Sequence, residues 1–175
     1  MVKRILQFVG ILLAVLLVAS GVLWVMGGKT FIHQAQVPTS ATPAEVFTHV
    51  TQSELIPQWA DKVSRVEPLT EGGHKVGAKA KIVVVENGKE FVFYDEVTAS
   101  EQDQFVATHI TSDMFTADNR ITINEENGGV LVRSNLAVKY SGVWRLLAPF
   151  MEGAVQEKVE GDLERLKKLL EKTAE

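Results

Sequence analysis

The chain has 175 residues, a formal charge of −4 at pH 7 and no cysteine. The mild acidity leaves no basic stripe to follow a phosphate backbone, so nucleic acid is not an expected partner. Without cysteine there can be no disulfide, no thiol nucleophile and no cysteine-ligated metal.

Residues 5–26 carry no charge, and Gln7 is their only strongly polar side chain. As a helix they span roughly 33 Å, enough to cross the hydrocarbon core of a bilayer. They show no polar face of the kind a helix on a soluble core needs. Two readings compete. In a cleaved signal peptide, Lys3 and Arg4 would be the basic start and Val18-Ala19-Ser20 a weak cleavage site. The apolar run continues through Val22, Leu23, Trp24 and Val25, longer than the ~15 residues usual for such a signal. The expectation is a retained anchor over residues 1–28, with one domain over 29–175. Trp24 fits an interfacial aromatic. Lys3 and Arg4 before the span, against Lys29 alone after it, put the N-terminus in the cytoplasm and the domain outside it in a single-pass protein.

Residues 30–37 alternate as a first strand. Thr42, Pro43 and Glu45 form a helix start, with Thr42 as N-cap and Glu45 closing a capping box. Val46, Phe47 and Val50 give that short helix an apolar face. Ser53 is positioned to cap a second one through Leu55, Ile56 and Trp59, which Pro57 limits to a turn or two. Six strands follow, over residues 63–69, 76–86, 89–97, 104–111, 115–124 and 130–140. Asn87-Gly88 is the strongest hairpin signal among their turns, and 126–129 makes another. Residues 143–173 repeat apolar side chains at three- and four-residue steps, from Leu147 to Leu170, as one long amphipathic helix. Its last third (Glu164, Arg165, Lys167, Lys168) reads as a solvated face.

The order is strand, two short helices, six strands and a long helix. An antiparallel seven-stranded sheet with one apolar face needs a cover, and only the last helix is long enough to give it. A curved sheet gripping a helix leaves an apolar cavity between them, the usual place for a small molecule. Charged side chains turned outward set the faces. Lys79 and Lys81 turn Ala78, Ala80, Ile82 and Val84 inward. Glu90 and Glu96 turn Phe91, Phe93, Asp95 and Val97 inward. Arg120 and Thr122 leave Asn119, Ile121 and Ile123 inside; Arg133 and Lys139 leave Val132, Ser134, Leu136 and Val138. The strand carrying His109 does not declare its faces.

This arrangement resembles the START-like superfamily, the polyketide cyclase and lipid-transport or Bet v 1-like group with the helix-grip fold. The resemblance rests on Pro43-Ala44-Glu45-Val46-Phe47, Ile56-Pro57-Gln58-Trp59, Gly128-Gly129-Val130-Leu131-Val132 and Leu146-Leu147-Ala148-Pro149-Phe150-Met151, in that order. It implies an α+β fold in which a curved sheet grips a C-terminal helix over residues 30–173, with the membrane segment lying outside the shared pattern. It further implies a cavity for a lipid, sterol, polyketide or hormone. Catalytic residues vary across the superfamily, so none carries over by position.

The candidate lining residues are Trp59, Phe91, Phe93, Asp95, His109, Asn119, Ile121, Ser134, Leu136, Trp144, Phe150 and Met151. Phe91, Phe93 and Ile121 serve equally as plain core. Asp95 is the sharpest feature, because a buried carboxylate is costly unless paired. It is a ligand contact, an ion-paired structural residue, or a surface residue if the register slips. Trp59 is placed at an entrance; Trp144, Phe150 and Met151 are placed on the gripping helix. The four histidines show no metal-ligand spacing, and no nucleophile elbow, phosphate loop or dinucleotide motif is present. No metal and no cofactor are expected. The first expectation is a membrane-tethered binding module for a lipid or other hydrophobic molecule. The alternatives are a cyclase- or hydrolase-like enzyme using Asp95 with His109 or Tyr94, and a protein-interaction domain with a filled core.

Overall fold

A computed structural model describes residues 2–126 and 128–173; Asn127 of the expected 126–129 turn falls outside them. Helix α1 (Val2–Met26) contains a 21-residue stretch, Leu6–Met26, long and apolar enough to cross a membrane. Such a helix near an N-terminus is a membrane span or a signal sequence. Its described side chains are exposed except Leu23, which is half-buried.

Strand β1 (Phe31–Thr39) alternates strictly at its ends, burying Phe31, His33, Val37 and Thr39. Helix α2 (Pro43–Thr51) opens on the expected capping box: the Glu45 amide donates to Thr42 Oγ1 and the Thr42 amide to Glu45 Oε2, at 3.3 and 2.7 Å. Helix α3 (Ile56–Trp59) is a single turn. Its N-cap is Leu55 and no side chain caps it, so Ser53 does not play that part. The chain turns instead through backbone, with the Leu55 and Ile56 amides both donating to the Gln52 carbonyl.

Strands β2 (Val63–Pro68), β3 (Lys79–Glu86), β4 (Lys89–Glu101), β5 (Phe105–Thr111), β6 (Phe115–Glu126) and β7 (Gly129–Tyr140) complete one antiparallel sheet in the order β1-β7-β6-β5-β4-β3-β2. The Asn87-Gly88 hairpin has φ of 51° and 74° at its two central residues, the sense that matches strand twist. β3 begins three residues later than its apolar pattern predicts, because Gly77 at φ 86° holds a turn in which the Ala78 amide donates to the Lys75 carbonyl. β4 runs on to Glu101, past a register shift between Val97 and Ala99 that leaves Thr98 as an extra residue.

A 3-10 turn (Gly142–Leu146) leads into helix α4 (Ala148–Thr173). α4 packs chiefly on β1 and, more lightly, on β7, α3 and α2; it makes no comparable contact with β2 to β5. Its C-terminal half sets Val159, Leu163, Leu166 and Leu170 into buried positions, the last three in one core with Val46, Phe47, Trp59, Ile121 and Val132. Its first turns close a second cluster around Phe31, Ala117, Val138 and Tyr140. The last third of α4 is not simply solvated. Arg165 donates from Nε to the Trp59 carbonyl at 2.9 Å and pairs with Asp162, and Asp162 accepts from the Asp61 amide at 2.9 Å.

Both sheet edges are protected. On β1 the Gln156 amide bonds both backbone groups of Gln34, accepting at 3.3 Å and donating at 2.8 Å. β2 is short, carries a register shift, and presents Arg65 and Glu67, which pair with Glu90 and Lys81 respectively. The outer face of the sheet holds one residue that alternation places in solvent: Val83 is fully buried. It lies opposite Arg65 and Val92 in the ladders.

Candidate ligand-binding face

Cross-strand register assembles the inner face in rows. Phe31, Val138, Ala117, Ile110, Asp95 and Ala80 form one; His33, Leu136, Asn119, Thr108 and Val97 form the next. Every residue turned inward by the charge pattern shares this face. Val97 of β4 and Val106 of β5 are buried with the leucines of α4, while on the same face Val66, Ile82, Val84, Phe91, Phe93 and Ile110 are only half-buried. At one end a line of rings crosses the sheet. Phe93 is 5.4 Å from Phe115, Phe115 6.1 Å from Tyr140, and Tyr140 5.8 Å from Phe31.

Asp95 stands on this face with its Oδ1 buried and without a hydrogen-bond partner. Burial pushes its carboxyl up to about 6, against smaller opposing effects from the Thr108 hydroxyl and His109. Burial disfavours the charged form, and among the described residues no lysine or arginine offsets it. The residue is therefore neither ion-paired nor on the surface.

His33 joins it as a second polar group, one that sequence reasoning missed. Only 1 % exposed, it leaves Nε2 without a partner. Burial lowers its pKa, while Glu152 and Gln156 of α4 act in the opposite sense. The available signal was parity: His33 alternates in phase with Phe31, Ala35 and Val37.

Other expected lining residues divide. Asn119 and Leu136 are half-buried in the row of His33, while Ile121 and Ser134 are buried beside the main core. Trp144 and Met151 pack at the aromatic end of the face. Trp59 guards no entrance: it is buried in the main core and donates from Nε1 to the His49 carbonyl at 3.0 Å. His109 lies on the outer face, 2.7 Å from Asp118 Oδ1, because Thr108 and Ile110 take the inner positions. Phe150 points away from the core and is 72 % exposed. Tyr94 is also exposed, alternating out of phase with Asp95.

Two large surface depressions lie elsewhere. One of about 710 Å³ is bounded by α2, Leu69–His74 and Asp103; another of about 720 Å³ surrounds Gln34, Arg120 and Arg133. Neither touches Asp95 or His33, and both are open to solvent, so the inner face is the better candidate on chemical grounds. Beneath Leu163 and Leu166 the core is filled, with Val97 of β4 and Val106 of β5 part of it. Among the described residues no three histidine, aspartate or glutamate side chains gather as a metal site.

The sheet order, its half-covered inner face and the C-terminal helix define a START-like, helix-grip domain. Residues 31–171 match the family described as polyketide cyclase / dehydrase and lipid transport, and the chain belongs to that family. No curated protein matches in sequence. Solved structures do. A START superfamily protein from Mycobacterium smegmatis is 18% identical with a TM-score of 0.69, covering 82% of this chain and 99% of its own. A protein from Thermus thermophilus is 17% identical with a TM-score of 0.66, covering 82% and 99%. The di-domain ARO/CYC StfQ from the steffimycin biosynthetic pathway is 8% identical with a TM-score of 0.69, covering 85% of this chain and 53% of its own. At such identities the likeness carries the fold and not the ligand.

Proposed function

We propose that this protein is a membrane-anchored binding or transport module for a lipid or other hydrophobic small molecule. The observation that carries the reading is the inner face: apolar, half-uncovered, and holding in Asp95 a buried carboxyl oxygen with no partner. Apolar side chains left half-exposed to water are unfavourable, and an amphiphile with a donor group would cover them and satisfy Asp95 together. The family, described in part by lipid transport, supports the class of guest. α1 is the anchor in this reading, with Lys3 and Arg4 keeping its start in the cytoplasm and the domain outside. Tethering raises the effective concentration of the face beside lipid.

The test uses residues 29–175, since the similar solved chains consist almost wholly of this domain. Native mass spectrometry of gently purified protein, followed by extraction, is expected to release a discrete amphiphile. Delipidated protein is expected to gain in Tm with the matching compound. A clean apo mass together with no Tm shift across fatty acids, phospholipids, sterols and polyketides would refute the proposal.

One observation favours a second reading, an enzyme of the cyclase kind. A carboxyl held near 6 is suited to proton transfer at neutral pH. The partners expected from sequence, His109 and Tyr94, are not on that face, so Asp95 would act alone or through a water. The ARO/CYC likeness lends this reading a fold and no residue.

A further inference from the structure

Gly27 and Gly28 form the joint between α1 and the domain. Gly27 is buried, and a Cβ built there would collide with the backbone carbonyl of Arg145; one on Gly28 would meet the Arg145 guanidinium. The guanidinium lies over the Trp24 ring, 4.7 Å from its centre, with Nε buried and without a partner. The 3-10 turn is thus seated on the last turn of α1, which explains why Leu23 alone among the described α1 side chains is half-buried.

That turn and the start of α4 expose Val143 at 64 %, Leu147 at 47 % and Phe150 at 72 %. Val143 belongs to the 3-10 turn, Leu147 ends it and Phe150 stands in the first turn of α4, so the three lie close together along one short segment. Clustered apolar side chains on a surface mark a contact with something apolar. The seat of this turn on the end of α1, through Arg145, identifies it. Arg145, which lies between Val143 and Leu147 in the chain, rests on Trp24 about 3 Å along the axis from the end of α1, the depth at which an interfacial tryptophan sits. Arg145 on Trp24 and Lys29, which follows α1 and lies over the Phe31 ring, are the cations at this end of the helix, suited to lipid phosphate.

We propose that the segment Val143–Phe150 is a foot that dips into the lipid surface around α1. The Gly27–Arg145 joint holds it there and turns the aromatic end of the inner face (Phe93, Phe115, Tyr140) toward the bilayer. The turn follows Tyr140 directly, and Trp144 and Met151 pack on the same cluster, so the foot and that end of the face move as one. Guests would then enter from lipid rather than from water. The inference rests on α1 being a retained span.

The cysteine-free chain allows a direct test. Nitroxide labels are placed singly at Phe150→Cys, Leu13→Cys and Glu164→Cys in the full chain in phosphatidylcholine vesicles. Collision with oxygen and with a water-soluble nickel chelate is read by power saturation. The expected result is nickel access several-fold lower at 150 than at 164, and negligible access at 13. Access at 150 equal to that at 164, with 13 still shielded, overturns the foot and leaves the anchor standing. Full access at 13 overturns both. In a second arm, Gly27→Val is expected to raise nickel access at 150 and leave 13 unchanged; no change at 150 overturns the role of the joint.

Discussion

Replacing Asp95 with asparagine should make the domain more stable at neutral pH and leave it unchanged in acid. The carboxyl ionises near 3.8 when unfolded and is held at about 6 in the fold by burial. A folded-state pKa above the unfolded one means that between these values the native state holds the proton more tightly. Stability from this group is therefore fully present below about pH 4 and is lost as pH rises to 6, after which the loss is constant. The rise from 3.8 to about 6 corresponds to about 3 kcal/mol. An amide of the same shape carries no charge to desolvate, so Asp95→Asn should recover about 1–3 kcal/mol above pH 6, the lower end allowing for its own unpaired dipole. Urea denaturation of residues 29–175 and of the variant, at intervals from pH 4 to 7.5, gives the difference curve and cancels the other carboxylates. A flat difference, or a variant less stable than the parent at pH 7, would refute the burial argument. A bound guest donating to Asp95 should flatten the same curve.

His33 works in the opposite sense. Its pKa is lowered in the fold, so its contribution is present above the unfolded value of 6.5 and is lost as pH falls below it. The stability difference between the parent and His33→Asn should accordingly shrink on acidification, as read by the same titration. Leu166, fully buried at the centre of the main core, should cost about 2–5 kcal/mol when cut to alanine. A shift of the urea midpoint with unchanged slope would confirm a simple cavity.

Much of this architecture was legible because charge and chain chemistry act locally. Lys79 and Lys81 determine the parity of β3, and Glu90 and Glu96 that of β4; the ladders keep both. Thr42 with Glu45, and Asn87 with Gly88, carry their own geometry. What escaped depends on partners far along the chain. His33 becomes notable only when α4, distant in sequence, covers β1 and leaves Nε2 unmatched. His109 sits among Thr108, Ile110 and Thr111, whose polarity gives no phase. Val83 breaks alternation on the outer face, where its ladder partners Arg65 and Val92 come from other strands. Arg165 looks solvated until the Trp59 carbonyl is brought beneath it. Which inner-face side chains stay half-buried depends on where α4 lands, which its own periodicity does not say.

The Gln156 amide on Gln34 has a meaning beyond holding a helix to a strand. A sheet edge offers its free amides and carbonyls to any extended peptide, including the same strand of a neighbouring molecule. Gln156 occupies both groups of Gln34 as another strand would, and it does so from within the chain. Proteins confined to a membrane plane meet one another in two dimensions, already partly aligned, where sideways accretion of sheets is far easier than in free solution. With Gln34 on one edge occupied by a side chain and the other edge shortened, shifted in register and charged, neither edge offers a long free row to a neighbour, which suits the anchored reading proposed above.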